Sequence, residues 1–312
     1  MQTVGIIGGS GYIGSYNTQK FLAEGYRVKA SVTDLSKTDK YEHLRQLPHA
    51  EHLKIVELDV QNKAQLDGFL QGCQIVIHGG TPFQLDVEDL QRDLFDPTIK
   101  GTENFLAAVQ KMPSIKKVVL IASVAALNTN FPFLPPSKKP GDQISEQDPP
   151  FFSEENIPYA QAKFIAHQTV ERFIAGHPDL NFELVTVSPV GVLGKALSQR
   201  EDSTSMGLQY LLKNKIAPNP FFQMLYDQNV DWAIVDVEDV AEGIFKAATV
   251  NGLHGKNYLL TSESYPISDI TLMLNQQQPE GAAKVVYRND LAVHELGIRF
   301  RPAQQTLNNY AS

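Results

Sequence analysis

Cysteine is nearly missing from this chain: Cys73 is the single one in 312 residues. An internal disulfide is therefore excluded, and a reducing compartment, the cytoplasm, is expected. Cys73 opens the apolar run CQIVIHGG, where a small core residue is a better reading than a reactive thiol. No apolar run is long enough to cross a bilayer, so no membrane partner is expected. Positive charge is scarce as well. Twenty-seven Lys and Arg against 35 Asp and Glu give a net charge of −8, with the basic residues scattered, which offers nucleic acid no electrostatic footprint. The opening MQTVGIIGGSGYIG lacks the basic n-region and cleavage site of a secretory signal and reads as a first strand. A globular protein that handles a small molecule is what these absences leave.

With 42% apolar residues the chain can bury a sizeable core, as one large α/β domain or one domain with a smaller partner. Strand-like runs (TVGIIGG, YRVKASV, LKIVELDV, QIVIHGG, KKVVLIASVAAL) alternate with helical ones (YIGSYNTQKFLAEG, YEHLRQL, KAQLDGFLQG, DPTIKGTENFLAAVQKM). This alternation predicts βαβ units with right-handed crossovers, a parallel sheet covered on both faces. Between Asn130 and Pro158 the pattern breaks into proline and aromatic clusters, FPFLPPSKKP and DPPFF, and a loop of that length is expected to cover something. A helix from Tyr159 to about Ala175, the strand NFELVTVSP and a less regular stretch of about forty residues follow. AIVDVEDVAEGIFKAAT then restores a strand and helix, and KNYLLTS another strand. The expected fold class is α/β, a Rossmann-type doubly wound sheet, with residues 1–188 and about 230–262 forming the dinucleotide-binding domain. Residues 189–229 and 263–312 form a smaller, C-terminal substrate-binding region.

GGSGYIG follows the first strand and opens the first helix. Gly8, Gly11 and Gly14 form G-x-x-G-x-x-G, and Gly9, Gly11 and Gly14 form G-x-G-x-x-G. Either spacing allows a tight turn, close approach of a pyrophosphate, and a helix N-terminus facing the phosphates. The ribose end is ambiguous. Strand two ends ASVTDLSK, with Thr33 and Asp34 at the turn and Lys37 beyond. An NAD site favours an acid there and an NADP site a cation, so both cofactors stay open, with a slight lean to NADP.

YAQAK, residues 159–163, puts Tyr159 and Lys163 on one helix face, about 5–6 Å apart at Cβ. They are either two amphipathic surface residues or an acid–base pair, since an ammonium beside a phenol favours its ionised form. Ser123 ends the fifth strand in IASVAA, at the carboxyl edge where parallel sheets place their ligand crevice. Alone it reads as a small strand-end residue.

Glycine loop, strand-end serine and Tyr-x-x-x-Lys, in that order, resemble an extended short-chain dehydrogenase/reductase of the NAD-dependent epimerase/dehydratase superfamily. The chain is most similar to the dihydroflavonol reductase, cinnamoyl-CoA reductase and aldehyde/ketone reductase branch. HGGTPF, DPTIKGTENFLAA, SPVGVLG, VDVEDVAEGI and LGIRFRPAQQTL carry the likeness along nearly the whole chain. The resemblance implies reduction of a ketone or aldehyde to an alcohol, or the reverse. In it Tyr159 is the general acid, Lys163 lowers the tyrosine's pKa and binds the nicotinamide ribose, and Ser123 polarises the carbonyl. It implies cofactor contacts at Gly8, Gly11, Tyr12, Ile13, Gly14, Thr33, Asp34, Asp59, Val60, Gly79, Gly80, Thr81, Lys163, Pro189 and Val192. Substrate contacts fall on Pro82 and Asn128, the latter weighed evenly against an ordinary turn residue. A monomer or homodimer is expected. The chain departs from the branch at Ala122, Ala162 and Gly79–Gly80, none of them catalytic groups, and at Thr33, where related reductases carry the arginine that grips the NADP phosphate.

Other readings are weaker. A nucleotide-sugar epimerase or dehydratase shares the fold, but ASVAALN carries neither the acidic pair of a dehydratase nor the Tyr-Gly turn of an epimerase. A non-catalytic regulatory protein that binds NAD(P) would be expected to lack Tyr159. IASVA is not a G-x-S-x-G elbow, which argues against a hydrolase. His49 and His52 in HAEH read as solvated rather than as metal ligands, and Trp232 as a core residue.

Overall fold

The computed structural model describes residues 1–79, 89–198 and 204–310, apart from the side chain of Thr204. The seven-stranded sheet is built from β1 (Thr3–Ile7), β2 (Arg27–Val32), β3 (Leu53–Glu57), β4 (Ile75–His78), β5 (Lys117–Ile121), β6 (Glu183–Pro189) and, later in the chain, Asn257–Leu260. Helices α1 (Tyr12–Ala23), α2 (Glu42–Arg45), α3 (Lys63–Leu70), α4 (Asp96–Gln110) and α5 (Pro158–Gly176) lie between its strands. Beyond β6 come β7 (Gly191–Leu193), α6 (Thr204–Asn214), α7 (Pro220–Asp227), β8 (Asp231–Asp236) and α8 (Val237–Thr249). Asn257–Leu260 is thus β9, and β10 (Glu263–Pro266), α9 (Ile267–Leu274) and α10 (Ala303–Tyr310) complete the chain.

The large sheet runs β3-β2-β1-β4-β5-β6-β9 with every pair parallel. Its central strands are apolar on both faces, as burial between two helix layers requires. Successive residues point to opposite layers. Val119 and Val185 join the core that includes Phe21, Val240 and Ile244, whereas Val118 and Leu184 join Phe69, Phe105 and Leu106. Accordingly α1 and α8 pack together over one face, and α3, α4 and α5 over the other. Cys73 is buried in the second core, and burial raises its thiol pKa.

The strand order reverses between β1 and β4, whose neighbours run outward in opposite directions. A crevice opens at such a point outside the carboxyl ends of the strands.

β8 does not join the large sheet. It pairs with β10 in antiparallel and with β7 in parallel, so within 230–262 only α8 and β9 extend the larger layer. The small sheet has its own core, with Leu212, Leu225, Trp232, Ile270 and Leu307. Trp232 stacks edge-on against Phe131 at 5.1 Å between centroids. The stretch read as irregular after residue 190 holds two helices. α7 starts at Asn219, whose side chain accepts the Phe222 N–H, with Pro220 at the first position; this asparagine cap and proline start are a recognised helix signal.

Residues 130–157 are irregular but anchored. Glu146 accepts the Leu259 N–H of β9 at 2.5 Å, Ile144 bridges Tyr287, and Phe131 lies against Tyr287 and Trp232. The segment thereby ties the large sheet to the small one. No described helix is long and apolar enough to cross a membrane.

Candidate active site

The turn after β1 is shaped by its glycines. Gly8 has φ +77°, a left-handed conformation that glycine adopts without penalty, and its N–H donates to Ser31 Oγ at 2.9 Å. A Cβ on Gly14 would stand 1.9 Å from the Gly8 carbonyl oxygen, so only glycine lets α1 begin this close to the turn. Gly11 precedes α1 in an extended conformation, with no side-chain cap and no acid in the first turn. The amides of Tyr12, Ile13 and Gly14 belong to that turn, and the positive end of the helix dipole is left uncompensated. This cradle fits a dinucleotide pyrophosphate. Tyr12 and Tyr16 on the same helix donate to the carbonyls of Gly194 and Lys195, at 2.9 and 2.7 Å, and so fix α1 to the segment after β7.

The other cofactor candidates, Val192 apart, follow the same edge of the large sheet. Thr33 and Asp34 leave β2, Asp59 and Val60 follow β3, Gly79 follows β4, Pro189 ends β6 and Val192 is buried in β7. Gly79 N–H donates to the Ile7 carbonyl at 3.1 Å, drawing the β4 turn against the glycine turn across the crevice. Asp34 is engaged locally: it accepts from Ser36 N–H and Oγ at 2.9 and 2.6 Å, and Lys37 lies 3.7 Å away. These partners hold its carboxyl below the usual range. Gly80, Thr81 and Pro82 lie outside the described residues.

Ser123 lies two residues past β5 and starts a short turn, Val124–Ala126. Its Oγ accepts the Ala125 N–H at 3.3 Å, and the hydroxyl hydrogen remains to donate. α5 packs against that turn, which brings the start of the helix to the strand end. Pro158 occupies the first helical position, where no N–H is needed. Gln161 Nε2 donates to the carbonyls of Glu154 and Asn156 at 3.0 and 2.7 Å, fastening this end of α5 to the covering segment. Tyr159 sits in the first turn so fixed, and Lys163 one turn on. Lys163 is buried, its Nζ 5.7 Å from the Tyr159 ring centroid.

Burial dominates both groups. The Tyr159 phenol is pushed up to about 12 and the Lys163 ammonium down to about 8. Loss of water around each group is the cause of both shifts in the protein alone. His78, at the end of β4, is lowered to about 4 by burial and then by Lys163. It is a neighbour that opens the HGGTPF segment, to which the sequence reading gave no role. Ser31 was likewise missed, since nothing marks a mid-strand serine as the acceptor for a glycine turn.

Asn128 stands apart from the expectation of a substrate contact. It is fully buried, and its amide donates to the Phe133 carbonyl and the Tyr287 hydroxyl, both at 2.8 Å, while Oδ1 accepts the Asn130 N–H at 3.0 Å. Its polar atoms hold the covering segment together. His49 and His52 are exposed beside Glu51.

The profile of the NAD dependent epimerase/dehydratase family matches residues 4–260. The chain belongs to that family. Its fold and nucleotide cradle are those of an NAD(P)-dependent oxidoreductase of the extended short-chain type. Among members of the family, cinnamoyl-CoA reductase CAD2 of Medicago truncatula is 32% identical over 254 residues, covering 80% of this chain and 74% of the relative. Tetraketide alpha-pyrone reductase 1 of Arabidopsis thaliana is 25% identical over 314 residues, 97% of this chain and 92% of the relative. The yeast methylglyoxal/isovaleraldehyde reductase Gre2, solved with NADPH, superposes with a TM-score of 0.79 at 22% identity, covering 99% of this chain and 97% of that one. A UDP-glucose-4-epimerase from Stenotrophomonas maltophila superposes with a TM-score of 0.76 at 16% identity, covering 100% and 97%. Proteins of both chemistries share the fold, so the choice between them rests on side chains.

Proposed function

We propose that this protein reduces a ketone or aldehyde to the alcohol, or runs the reverse, with Tyr159 as the proton donor and Ser123 as the hydrogen-bond donor to the reacting oxygen. A bound nicotinamide dinucleotide supplies the hydride. What supports this reading is the single arrangement of Ser123, Tyr159 and Lys163: a strand-end hydroxyl with a free proton, and a packed helix start carrying a phenol over a buried ammonium.

The residues divide the work. The glycine turn and the first turn of α1 hold the pyrophosphate. Ser123 stabilises negative charge as it grows on the carbonyl oxygen, where a positioned donor contributes most. Tyr159 delivers its proton to that oxygen. A phenol with its pKa pushed to about 12 loses a proton reluctantly, so the charged Lys163 beside it lowers the cost of the phenolate as it forms. The buried setting strengthens that attraction, because fewer water dipoles screen it. In this reading the same lysine would hydrogen-bond the nicotinamide ribose. The covering segment and the small sheet's aromatics offer an apolar carbonyl compound a better surface than a diphosphate sugar, which favours reduction over sugar epimerisation.

NADP is the preferred cofactor in this reading, NAD the second. The carboxylate of Asp34, which would select NAD by holding a ribose hydroxyl, is engaged by Ser36 and Lys37, and relatives such as Gre2 are solved with NADPH. We place the enzyme in the cytoplasm, as a monomer or homodimer, consistent with its single, buried cysteine.

The test is loss of nicotinamide absorbance with NADPH and NADH in parallel, against aryl ketones, aliphatic aldehydes, diketones and dihydroflavonols. Turnover with at least one carbonyl, and its fall by about a hundredfold or more in Tyr159→Phe with cofactor affinity unchanged, is expected. Cofactor binding without turnover on any carbonyl would transfer the assignment to the epimerase chemistry.

A further inference from the structure

Two hydroxyls must reach one carbonyl oxygen in the reduction proposed above, and they come from separate elements. Ser123 starts the turn after β5, and Tyr159 stands in the first turn of α5. The chain between those two turns is irregular, so neither a helix nor a strand sets their spacing. What joins them is a set of side-chain hydrogen bonds that the mechanism does not use.

One half of the set grows out of the serine's turn. Ala126 N–H donates to the Ser123 carbonyl at 2.8 Å and Asn128 N–H to that of Val124 at 2.9 Å, so the turn runs unbroken toward Thr129. Thr129 is buried. Its Oγ1 donates to Asn156 Oδ1 at 2.7 Å and accepts the Ser153 N–H at 3.1 Å. Asn156 Nδ2 donates back to Asn130 Oδ1 at 3.1 Å. The other half starts in the helix. Gln161 is buried, and its Nε2 reaches back to the carbonyls of Asn156 and Glu154, at 2.7 and 3.0 Å. Asn156 belongs to both halves, its side chain held from the serine's side and its carbonyl from α5. Both hydrogens of the Gln161 amide are used on one neighbouring segment, and a buried donor left without its partner costs about 1–3 kcal/mol. The link is therefore stiff.

We propose that Thr129, Asn156 and Gln161 form a polar staple that sets the spacing of the Ser123 and Tyr159 hydroxyls, and so are positioning residues for the reaction. The proposal rests on the carbonyl-reductase reading and deepens it. Both hydroxyls donate to the same oxygen as the hydride arrives, and a misplacement of about 1 Å costs such a reaction about a hundredfold. Lys163 lies one turn further along α5, buried beside residues of β4, β5 and β6. Its position is secured by the sheet, whereas Tyr159 stands in the turn that Gln161 ties down. The staple therefore acts on proton donation through Tyr159 and leaves cofactor binding alone.

Gln161→Met keeps the length and helix propensity of the side chain and removes both donors. Thr129→Val keeps the shape and removes the hydroxyl, which Thr129→Ser gives back. In Gln161→Met and Thr129→Val the single-turnover rate of carbonyl reduction should fall about tenfold or more, while the NADPH dissociation constant changes less than about twofold. Thr129→Ser should recover most of the loss. On a Tyr159→Phe background the same substitutions should cost less than about twofold, because groups that act as a unit are not additive. An undiminished loss on that background, or wild-type rates in both variants, would overturn the staple. A second measurement needs no substrate: amide hydrogen exchange in the cofactor-free protein. Residues 157–161 should exchange about tenfold faster or more in Gln161→Met, with residues 164–176 unchanged. Equal exchange in the first segment would also overturn it. Faster exchange there, without carbonyl turnover in wild type, would instead refute the reductase reading.

Discussion

Lys163 Nζ lies 5.7 Å from the centre of the Tyr159 ring, one helical turn along α5. Burial drives the two groups' affinities for protons apart, the phenol up to about 12 and the ammonium down to about 8. At neutral pH the pair therefore holds a neutral phenol over a charged lysine, the combination that reduction needs.

The pH profile of the free enzyme follows from the sign of the lysine's shift. Lys163 is charged below about 8 and loses that charge as pH rises through it. Reduction, measured as kcat/KM, should be level near neutrality and decline about tenfold per pH unit above the break. Lys163→Arg keeps its charge at every such pH, so its profile should lack the break, at a lower plateau because the guanidinium is larger. The same break in both proteins would assign it to another group.

The glycine turn makes a prediction of a different kind. A methyl group on Gly14 would meet the Gly8 carbonyl oxygen at 1.9 Å, a backbone atom that cannot rotate away. On Gly11 the same contact would be 3.3 Å. Gly14→Ala should therefore push α1 off the turn, weaken cofactor binding by about a hundredfold or more, and lower Tm, since overpacking of this kind costs about 1–3 kcal/mol. Gly11→Ala should be several-fold milder in both. Fluorescence titration with NADPH and a thermal melt check the pair, and equal affinities would show that the cradle does not depend on this approach.

Sequence patterning disclosed the larger layer because each of its signals is local. A parallel strand between two helix layers is largely apolar, as Lys117–Ile121 is after its first residue, and a glycine turn must follow its strand directly. The small sheet could not be read that way. β7 has three residues and β10 four, and their pairing with β8 joins segments far apart in the chain. Asn128 shows the same limit within the site. Its place five residues after Ser123 was visible, but its hydrogen bond to Tyr287 spans 159 residues.

Asn128 can be assigned by separating stability from affinity. Asn128→Ala removes the donors to the Phe133 carbonyl and the Tyr287 hydroxyl, leaving buried polar groups without partners at about 1–3 kcal/mol each. Tyr287→Phe removes one of those bonds and should cost less. Both variants should unfold at lower denaturant concentration, while KM for a carbonyl substrate at a temperature where they stay folded should change less than about fivefold, a bound set by the roughly 1 kcal/mol that one direct hydrogen bond contributes. A larger rise in KM without loss of stability would return Asn128 to the substrate site.

The end of β2 is where the choice of cofactor is expected to be made. Thr33 is exposed there, and Asp34 is turned onto Ser36, so no unengaged charge marks the site as selective for either dinucleotide. Thr33→Arg would place a guanidinium where a 2′-phosphate is expected, and such a cation pairs with phosphate through two parallel hydrogen bonds. The ratio of kcat/KM for NADPH to that for NADH should rise about tenfold, the worth of one charge-assisted contact. Asp34→Asn should shift the ratio the same way by less, since it removes a negative charge already screened by Lys37 at 3.7 Å. The two effects act on neighbouring atoms, so the double variant should fall short of their product. An unchanged ratio in Thr33→Arg would mean that the ribose is held elsewhere along the crevice, and that the end of β2 has no say in the choice of cofactor.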